Sequence, residues 1–196
     1  MDAIELLTDD HDKVRGLFKE FAGGGGVTGL VRRAVGNVSA AERRKVVNQV
    51  CKELAVHTKI EEELFYPAVK ALGDGELTEQ VTEALREHAK VKQEVAGLRG
   101  VRGDEDDLED RMTQLENDVE HHATEEESEM FPRLDELMPA DERQDLGRRM
   151  QALKRHAPKS AGSTPRRTPK RRRSVKTGSS RARGRTSAQA RSRRSG

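Results

Sequence analysis

Histidine and glutamate residues interrupt the apolar stripes of four segments in this chain of 196 residues. Within each segment the apolar residues recur every three or four positions, which is the spacing of one face of an amphipathic helix. The residues that break the stripes, and that carry the candidate chemistry, are His11, His57, Glu61, His88, His122 and Glu126. We therefore expect four imidazoles and two carboxylates on the inward faces of four helices.

Two of the stripes contain a histidine followed four residues later by a glutamate, namely His57 with Glu61 and His122 with Glu126. Residues at i and i+4 share a helix face, so each pair presents an imidazole and a carboxylate at one place. A single core histidine or a single pair of this kind is weak support for a metal, because both are common in proteins without one. The joint pattern of four histidines and two glutamates is a strong signal.

Burying six polar groups in a small core is unfavourable unless they have partners. An unsatisfied buried polar group costs about 1–3 kcal/mol, and a buried carboxylate costs far more. A metal cluster at the centre would satisfy all six. Imidazoles with carboxylates suit iron, manganese or zinc, and the absence of thiolates among them argues against a structural zinc site. Six ligands exceed the needs of one tetrahedral metal and fit two metals bridged by the carboxylates.

The elements that position these side chains follow from the stripes and from the residues between them. Glycines 23–26 end the first helix, and a capping box of Ser39 and Glu42 opens the second. The segment 30–35 between them is predicted to add one or two helical turns. The stripes occupy positions 4, 7, 11, 14, 18 and 21; 47, 50, 54, 57, 61, 64 and 68; 81, 85, 88, 91, 95 and 98; and 108, 112, 115, 119, 122, 126 and 130.

The third helix is predicted over 78–99 and the fourth from about residue 104 to Pro132, with glycines in the connections on either side of the third. Short connections between long helices favour an antiparallel up-down-up-down four-helix bundle. A short extra helix is predicted over 141–155, because Pro139 and Asp141 form a good helix opening. The predicted fold is therefore all-α, with a helical domain at 1–155 and a disordered Arg/Lys-rich tail at 156–196.

The charge of the chain is divided unevenly. Residues 157–196 contain fourteen Lys and Arg residues and no acid, whereas the rest carries 23 basic against 35 acidic residues, a balance of −12. A flexible polycation of this kind binds phosphate backbones with little sequence preference, which favours nucleic acid or another polyanion as partner. The tail has no aromatic residue for stacking on bases. The alternative is a solvated tail that folds back loosely on the acidic body.

Composition also bears on location. The chain has 37% charged and 3% aromatic residues, and no run of eighteen apolar residues that could span a membrane. Its acidic N-terminus lacks the features of a secretory signal. The single cysteine, Cys51, excludes an internal disulfide and suits a reducing setting. We therefore expect a cytoplasmic protein without a membrane partner.

A sequence repeat supports the metal interpretation. Residues 57–67, HTKIEEELFYP, align with residues 122–132, HATEEESEMFP, at a constant offset of 65. This His…Glu-Glu…Pro pattern resembles the hemerythrin-like HHE cation-binding family, as does the opening LTDDHDKV that contains His11. The resemblance extends over about residues 3–150 and involves all four helices. It implies an antiparallel four-helix bundle with a carboxylate-bridged, oxo- or hydroxo-bridged non-haem di-iron centre.

By position, the resemblance implies that the four histidines are terminal ligands and that Glu61 and Glu126 are bridges. It also exposes a departure, since oxygen-carrying hemerythrins have a further histidine on the third helix where this chain has Lys92. One iron would then have an open position or a substitute ligand such as Tyr66 or water. Considered alone, Tyr66 is interpreted as an ordinary amphipathic residue near a helix end.

The missing histidine makes reversible oxygen carriage the less favoured function. We predict instead a di-iron protein that reacts with or senses dioxygen, peroxide, nitric oxide, or the iron or redox state, with peroxide degradation as one enzymatic form. One alternative is a metal-stabilised binding module held on nucleic acid by the tail. Another is a plain structural bundle in which the six polar residues hydrogen-bond one another. Of the remaining polar residues, His121 is expected to be exposed, whereas Glu62, Glu63, Glu125 and Glu127 are expected to be solvated or to accept from imidazoles.

Overall fold

The structure, a computed structural model, describes residues 1–23 and 39–156. Every regular element in these two ranges is helical, which confirms the predicted all-α class. The predictions for the segment 30–35 and for the tail fall outside the described residues. The elements are α1 (Ala3–Phe21), α2 (Ala40–Ile60), a π-helical turn (Glu61–Phe65), α3 (Tyr66–Ala71), α4 (Gly75–Leu98), α5 (Leu108–Glu125), a second π-helical turn (Glu126–Met130), α6 (Phe131–Leu137) and α7 (Ala140–His156).

The helix starts are set by side chains that accept from otherwise unpaired backbone N–H groups. Asp2 caps α1 in a capping box with Glu5. The predicted capping box of Ser39 and Glu42 opens α2, with Ser39 Oγ accepting from the Glu42 N–H at 3.3 Å. The carboxylate of Asp74 accepts from the Leu77 N–H at the start of α4. Such caps each stabilise a helix by about 1 kcal/mol and fix where its inward stripe begins.

Each half of the repeat contains a π-helical turn that begins at one of the two stripe glutamates. The Tyr66 N–H donates to the Glu61 carbonyl, and the Phe131 N–H donates to the Glu126 carbonyl, five residues back in both cases. A proline follows each turn, and proline lacks an N–H and clashes with the carbonyl four residues before it. The repeated proline therefore explains why the regular helical hydrogen bonds give way at this point. Such π turns are frequent at functional sites.

The predicted core positions in and after the first π turn are wrong by one residue. Leu64 and Ala68 were expected on the buried stripe, but both are only partly buried. Phe65 and Val69 are fully buried in their place. The extra residue in the turn rotates the helix that follows by one position, so a stripe extrapolated at regular helical spacing falls one residue short.

The predicted core position Leu85 is also wrong. Leu85 is 37% exposed, whereas Ala84 is buried. At about 100° per residue, Leu85 lies about 90° from the mean direction of the buried residues of α4, and Ala84 lies close to it. The larger apolar side chain is thus outside the stripe that carries His88, and a small one is inside it.

Two apolar clusters lie in the core of the helical unit. One contains Leu6, Leu7, Ile60, Phe65, Leu77, Val81, Leu134, Leu146 and Met150 among its buried residues. The other contains Val14, Phe18, Val47, Val50, Leu54, Val91, Val95, Leu108, Met112 and Leu115. Along α1 the positions of His11 and Asp10 fall between residues of the first cluster and residues of the second. The stripe histidines therefore lie between two apolar halves, away from either end of the core.

The C-terminal helix α7 packs against α1, and it covers one residue more at each end than predicted. Gly147 faces the start of α1 so closely that a Cβ there would overlap the backbone of Met1 and Ala3. The Arg143 Nε donates to Asp2 Oδ2 at 3.1 Å, and Lys154 pairs with the buried Asp10. Among the described residues, none of the helices combines the length and apolar character needed to cross a membrane.

Candidate metal centre

The structure brings all six predicted residues together in the core. Each is between 0 and 5% exposed: His11, His57, Glu61, His88, His122 and Glu126. α1 and α4 supply one histidine each, while α2 and α5 supply the other two near their ends. The two glutamates are the first residues of the π turns. The arrangement that the stripes predicted is therefore the one that the helices produce.

These residues form two groups that share a carboxylate. The first group is His11, His57, Glu61 and Glu126, and the second is Glu61, His88 and His122. Within each group, one nitrogen or oxygen atom from every residue lies within 4.8 Å of all the others. Glu61 belongs to both groups, and Glu126 Oε2 also lies 3.7 Å from His122 Nε2. Two groups with a common carboxylate match the requirement of a pair of metal ions bridged by carboxylate oxygens.

Several polar atoms of this cluster are buried without a hydrogen-bond partner among the described residues. They are His11 Nε2, His57 Nδ1, both carboxylate oxygens of Glu61, and Glu126 Oε2. Imidazole nitrogens do lie near Glu61 Oε2, at 3.1 Å for His57 Nε2 and 3.2 Å for His88 Nε2. These contacts do not meet the angles of a hydrogen bond, so both oxygens of Glu61 are unpartnered among the described residues. This donor set of unpaired nitrogens and carboxylate oxygens fits a metal cluster.

Three of the histidines are oriented by carboxylates on the outer side of the ring. His11 Nδ1 lies 2.7 Å from Glu127 Oε1, and His88 Nδ1 lies 3.0 Å from Glu62 Oε1. Both glutamates are among those expected to accept from imidazoles. A hydrogen bond at Nδ1 fixes the tautomer in which Nε2 carries the lone pair and faces inward. The outer carboxylates therefore favour rings of His11 and His88 whose Nε2 atoms face the cluster.

The third such carboxylate, Glu87, was missed by the sequence reasoning. Its Oε2 lies 2.9 Å from His122 Nδ1. A signal for it exists, since an acidic residue precedes the stripe histidine on both α1 and α4, as Asp10 and Glu87. The corresponding carboxylate of Asp10 is buried and pairs instead with Lys154 of α7. Burial, partly offset by Lys154, raises the pKa of Asp10.

Lys92 does not reach the centre. Its side chain is 49% exposed, and its Nζ lies 2.5 Å from the Glu62 carboxylate that holds His88. In the other half of the structure, Arg15 pairs with Glu127, the carboxylate that holds His11, at 2.9 Å. Arg15 follows His11 by four residues, as Lys92 follows His88. The cation at 92 therefore repeats the arrangement around His11 and supports an outer carboxylate rather than replacing a ligand.

Tyr66 lies inside the cluster, which corrects its interpretation as an ordinary amphipathic residue. Tyr66 is 2% exposed, and its hydroxyl donates to Glu126 Oε1 at 2.9 Å. The Tyr66 hydroxyl oxygen also lies 3.2 Å from His88 Nε2. Burial and the carboxylates of Glu61 and Glu126 raise the pKa of Tyr66 well above its usual value. The π turn explains the error, because it rotates Tyr66 inward. The repeat offers the clue, since Phe131 occupies the same position in the other half and lies nearly parallel to the His11 ring.

The pKa shifts of His57 and His88 suit metal binding, whereas at His122 burial lowers the pKa but the carboxylates of Glu126 and Glu87 outweigh it and raise the pKa. Burial and the neighbouring imidazoles lower the pKa of His57 well below its usual value, and burial with His122 lowers that of His88 to about 4. Both rings are therefore neutral near neutral pH, as ligands must be. Burial and the nearby Glu126 raise the pKa of Glu61 well above its usual value. Burial opposes ionisation of Glu126 too, but His122, together with His11 and Tyr66, holds its pKa at about 2.

A surface cavity of about 480 Å³ reaches this cluster between α4 and α5. His122, Glu126 and Ala84 line it on the inner side. Its other lining residues include five carboxylates and a single cation, which are Glu79, Glu83, Glu87, Glu125, Glu129 and Arg86. The cavity therefore offers a small molecule or ion a route of negative potential to the centre.

The remaining predicted side chains lie away from the cluster. His121 is 66% exposed, as expected, and contacts Glu87 and Glu125. Glu63 is 53% exposed and pairs with Lys59. Cys51 is 5% exposed, and burial raises its pKa to about 11.

Comparisons with known proteins agree with this geometry. The family model described as the Hemerythrin HHE cation binding domain matches residues 2–134. The uncharacterized proteins Rv2633c of Mycobacterium tuberculosis and Mb2666c of Mycobacterium bovis are each 28% identical to the chain over 155 residues, covering 78% of it and 84% of each relative. A DNA nickase of Nostoc is 23% identical over 155 residues, which cover 79% of this chain but only 39% of that protein.

A solved structure gives the same result. The crystal structure of a Hemerythrin HHE cation binding domain-containing protein from Mycobacterium kansasii, a homologue of Rv2633c, superposes with a TM-score of 0.62. The two are 27% identical, and the match covers 79% of this chain and 86% of the other. With a family match over more than half of its length and a helical core that gathers His and Glu residues able to hold metal, the chain belongs to the hemerythrin HHE cation-binding domain family.

Proposed function

We propose that this protein holds two iron ions and that the pair reacts with a small oxygen or nitrogen ligand, of which peroxide is favoured. His11, His57, His88 and His122 are the proposed terminal ligands, with Glu61 and Glu126 as bridges. The bundle is proposed to run up-down-up-down, so that α1, α2, α4 and α5 each contribute to the site.

The observation that carries this proposal is the set of buried polar atoms without partners. Five such atoms from His11, His57, Glu61 and Glu126 lie in one cluster among the described residues. Leaving each of them unsatisfied would cost about 1–3 kcal/mol, so an empty core of this kind would be strongly unfavourable. A plain structural bundle, in which the six residues hydrogen-bond one another, would not leave them so. Iron is favoured over manganese and zinc because the family resemblance implies a di-iron centre.

A bound iron pair would supply the electrons for reduction of an O–O bond and an open position for the ligand. The chain's own contribution is to orient the ligands and to supply protons. Glu127 and Glu62 hold the Nε2 atoms of His11 and His88 inward. The Tyr66 hydroxyl lies 3.2 Å from His88 Nε2, so it is well placed to donate to a ligand bound at the position left by the missing histidine.

Tyr66 also favours peroxide over simple oxygen carriage. Reversible binding of dioxygen or nitric oxide uses no proton beyond those already at the centre, whereas converting peroxide to water requires protons to be delivered to the reacting oxygens. The Tyr66 O–H donates to Glu126 Oε1, so a protonated phenol and an ionised carboxylate stand together beside the proposed bridge. The phenol holds this proton at the centre and passes it to an oxygen more basic than the phenolate, such as the oxygen released when the O–O bond breaks.

The cavity supports a neutral ligand. The cavity lining contains six carboxylates and a single arginine, so anions are repelled while neutral dioxygen, hydrogen peroxide and nitric oxide are not. Its inner lining includes His122 and Glu126, which are members of the cluster. A small neutral molecule can therefore reach the proposed open position through this route.

The test is to reconstitute the full chain with Fe²⁺ under anaerobic conditions and to follow its absorption after adding peroxide, dioxygen or nitric oxide in separate samples. We expect an oxo-bridged iron absorption band in the oxidised protein and consumption of peroxide over many turnovers by disproportionation. One peroxide is reduced to water and a second is oxidised to dioxygen, so that no outside reductant is needed. Tyr66→Phe should keep the iron and slow peroxide consumption by about 10²-fold, which is the lower end of the contribution of a positioned proton donor.

Phe18→Tyr is the matched control, because it makes the reverse change on another buried ring, outside the cluster. It should leave the rate of peroxide consumption within a factor of two or so of the parent's, as expected for a site far from the chemistry. An iron-loaded protein that binds dioxygen reversibly and leaves peroxide intact would refute the preference for peroxide. A chain that takes up no stoichiometric iron would refute the whole proposal.

A second candidate function rests on the charge of the tail. Residues 157–196 hold fourteen Lys and Arg residues and no acid, and such a segment binds nucleic acid through its phosphates. In this version the metal site senses iron or redox state, or strengthens the fold, while the tail holds the protein on nucleic acid. The Nostoc relative carries the name DNA nickase, and most of that protein lies outside the match.

Deleting residues 157–196 tests this candidate. Binding to duplex DNA should be lost on deletion and should weaken steeply with salt in the full chain, since each phosphate contact releases a counterion. Replacing the Lys and Arg residues of the tail by Gln gives a variant of the same length with the charge removed. Equal DNA affinity in the full chain and in both variants would exclude the tail as a nucleic-acid anchor.

A further inference from the structure

Three side chains converge outside the buried cluster, and two of them, Glu87 and Glu125, also line the cavity. His121 Nε2 lies 3.2 Å from Glu125 Oε1 and 3.5 Å from Glu87 Oε1. The three ligand atoms all lie within 4.8 Å of one another. One imidazole with two carboxylates is a donor set that suits a first-row divalent cation, and solvent access leaves room for water to complete the coordination. His121 is 66% exposed and Glu87 is 15% exposed, so the group spans the step from surface to interior.

Glu87 joins this surface group to the buried one. While its Oε1 faces His121, its Oε2 lies 2.9 Å from Nδ1 of His122, which is a proposed ligand. The same cavity is lined by Glu87, Glu125, His122 and Glu126. Glu126 is 1% exposed, and its Oε2 is buried with no hydrogen-bond partner among the described residues. A cation held by Glu87 and Glu125 would therefore lie at the outer end of a cavity whose inner lining includes a buried carboxylate oxygen without a partner among the described residues.

The surface group is not a by-product of the repeat. His121 and Glu125 stand four residues apart on α5, one position before the buried pair of His122 and Glu126. The offset of 65 places Val56 and Ile60 at the corresponding positions in the other half, and neither can bind a metal. The repeated framework of the centre is thus complete without His121 and Glu125. Only the half that opens to the cavity carries them.

We propose that Glu87, His121 and Glu125 form a third, exchangeable divalent-cation site, from which the metal passes along the cavity to the buried centre. The site itself is independent of the buried centre, whereas its delivery role rests on the proposed function. The acidic lining of the cavity concentrates cations at its rim, and the ligands bind them only loosely. Glu87, which contacts both groups, is the residue at which an incoming ion leaves one set of ligands for the other.

The first test counts Mn²⁺ ions on the full chain after its buried centre has been loaded with Fe²⁺ without oxygen. Mn²⁺ binds more weakly than Fe²⁺ to a given site, so it reports on a vacant site without displacing the iron. Free Mn²⁺ is measured by its electron paramagnetic resonance signal during a titration. We expect about one Mn²⁺ per chain, rapidly removed by a chelator. No saturable Mn²⁺ binding to the parent chain would overturn the site.

Two variants, His121→Ala and Glu125→Gln, test the assignment of ligands. Replacing a residue that only supports a ligand weakens metal affinity by about 10–100-fold. Loss of a direct ligand should therefore weaken Mn²⁺ binding by about tenfold or more. Glu63→Gln is the matched control, because it makes the same change at an exposed glutamate that lies in the other half. Equal Mn²⁺ affinity in the parent, the control and both variants would overturn the assignment.

The second test measures how fast the metal-free chain takes up Co²⁺ at the buried centre. The visible absorption of the bound Co²⁺ reports its uptake. Glu125→Gln removes a ligand of the surface site and one negative charge from the cavity lining. It should therefore slow uptake by about tenfold, the lower end of the effect of electrostatic focusing on association rates, while leaving the final amount unchanged. An unchanged rate would overturn the delivery role. A chain with one His121-dependent Mn²⁺ but no buried iron or cobalt would refute the proposed function and leave the surface site standing.

Discussion

Glu61 is predicted to destabilise the protein in the absence of metal, and Glu61→Gln is therefore expected to stabilise the metal-free form. The carboxylate is 0% exposed, and neither of its oxygens has a hydrogen-bond partner among the described residues. Burial and the nearby Glu126 raise its pKa well above the usual value, which is the sign of a carboxylate in an unfavourable site. Gln has the same shape, carries no charge and has an N–H that can donate to Glu126 Oε2.

The magnitude follows from these unpaired atoms. An unsatisfied buried polar group costs about 1–3 kcal/mol, so Glu61→Gln should raise the free energy of unfolding of the metal-free chain by about that amount. For a domain of this size each kcal/mol shifts the melting temperature by about 2–4 °C. In the presence of metal the order should reverse. The parent gains about 4 kcal/mol when free metal exceeds the dissociation constant about 1,000-fold, and the variant, which lacks a bridge, gains little.

The assay is thermal unfolding followed by far-UV circular dichroism, once with a chelator and once with metal. Glu63→Gln is the matched control, because it makes the same change at an exposed position and should alter stability by less than about 0.5 kcal/mol in either condition. Loss of stability in the metal-free form on Glu61→Gln would mean that protein groups already satisfy the carboxylate. In that case the argument for a metal from unpaired buried atoms would fail.

Three further predictions follow from single contacts. Lys92→Met removes the cation that holds Glu62, so it should weaken metal binding by about 10-fold, measured by competition with a chelator, because it acts through the support of His88. Ser39→Ala removes the cap of α2 and should lower the free energy of unfolding by about 0.5–2 kcal/mol in urea unfolding. Cys51, whose pKa is raised to about 11 by burial, should react slowly with iodoacetamide at about pH 8 in the native chain, and quickly in the unfolded one.

Each of these has a result that would count against it. Metal affinity unchanged in Lys92→Met would show that Glu62 positions His88 without help from the lysine. Unchanged unfolding on Ser39→Ala would mean that the start of α2 contributes nothing to global stability. The raised pKa of Cys51 also sets how stability depends on pH. The protonated thiol contributes to folding stability below its unfolded pKa, and this contribution is lost as pH rises through about 11. Native labelling as fast as unfolded labelling would contradict the burial.

Periodicity in the sequence predicted the helices and the six-residue cluster because both depend on regular helical spacing. His11 and His88 occur in the middle of α1 and α4, where nothing interrupts that spacing. His57 and His122 precede the π turns and are equally well predicted. The capping box at Ser39 was visible for a similar reason, since it depends only on residues three positions apart.

The errors begin where the spacing changes. A π turn adds one residue, so Tyr66 moves inward and the extrapolated stripe at Leu64 fails. The repeated proline marks where the turn ends, but the register that it produces depends on packing. Glu87 was missed because it reaches His122 across two helices, and periodicity along one helix carries no information about such a contact.

Lys92 shows the limit of reasoning from a missing residue. The sequence comparison predicts a lost ligand at this position, and the structure adds that the lysine holds Glu62, as Arg15 holds Glu127 in the other half. That symmetry could have been found in the sequence, because Arg15 and Lys92 both follow a stripe histidine by four residues. Its meaning depended on knowing which carboxylates lie opposite the two cations.

The central claim is a two-metal centre built from four histidines and two glutamates, and metal content tests it most directly. Elemental analysis of the full chain, purified after expression in iron-supplemented medium, should find about two iron ions per chain in the buried centre after exchangeable ions have been removed. His57→Ala and Glu126→Ala should each abolish this stoichiometry, whereas Glu63→Gln should keep it. A folded parent chain without tightly held metal, or variants that retain the full amount, would contradict the account.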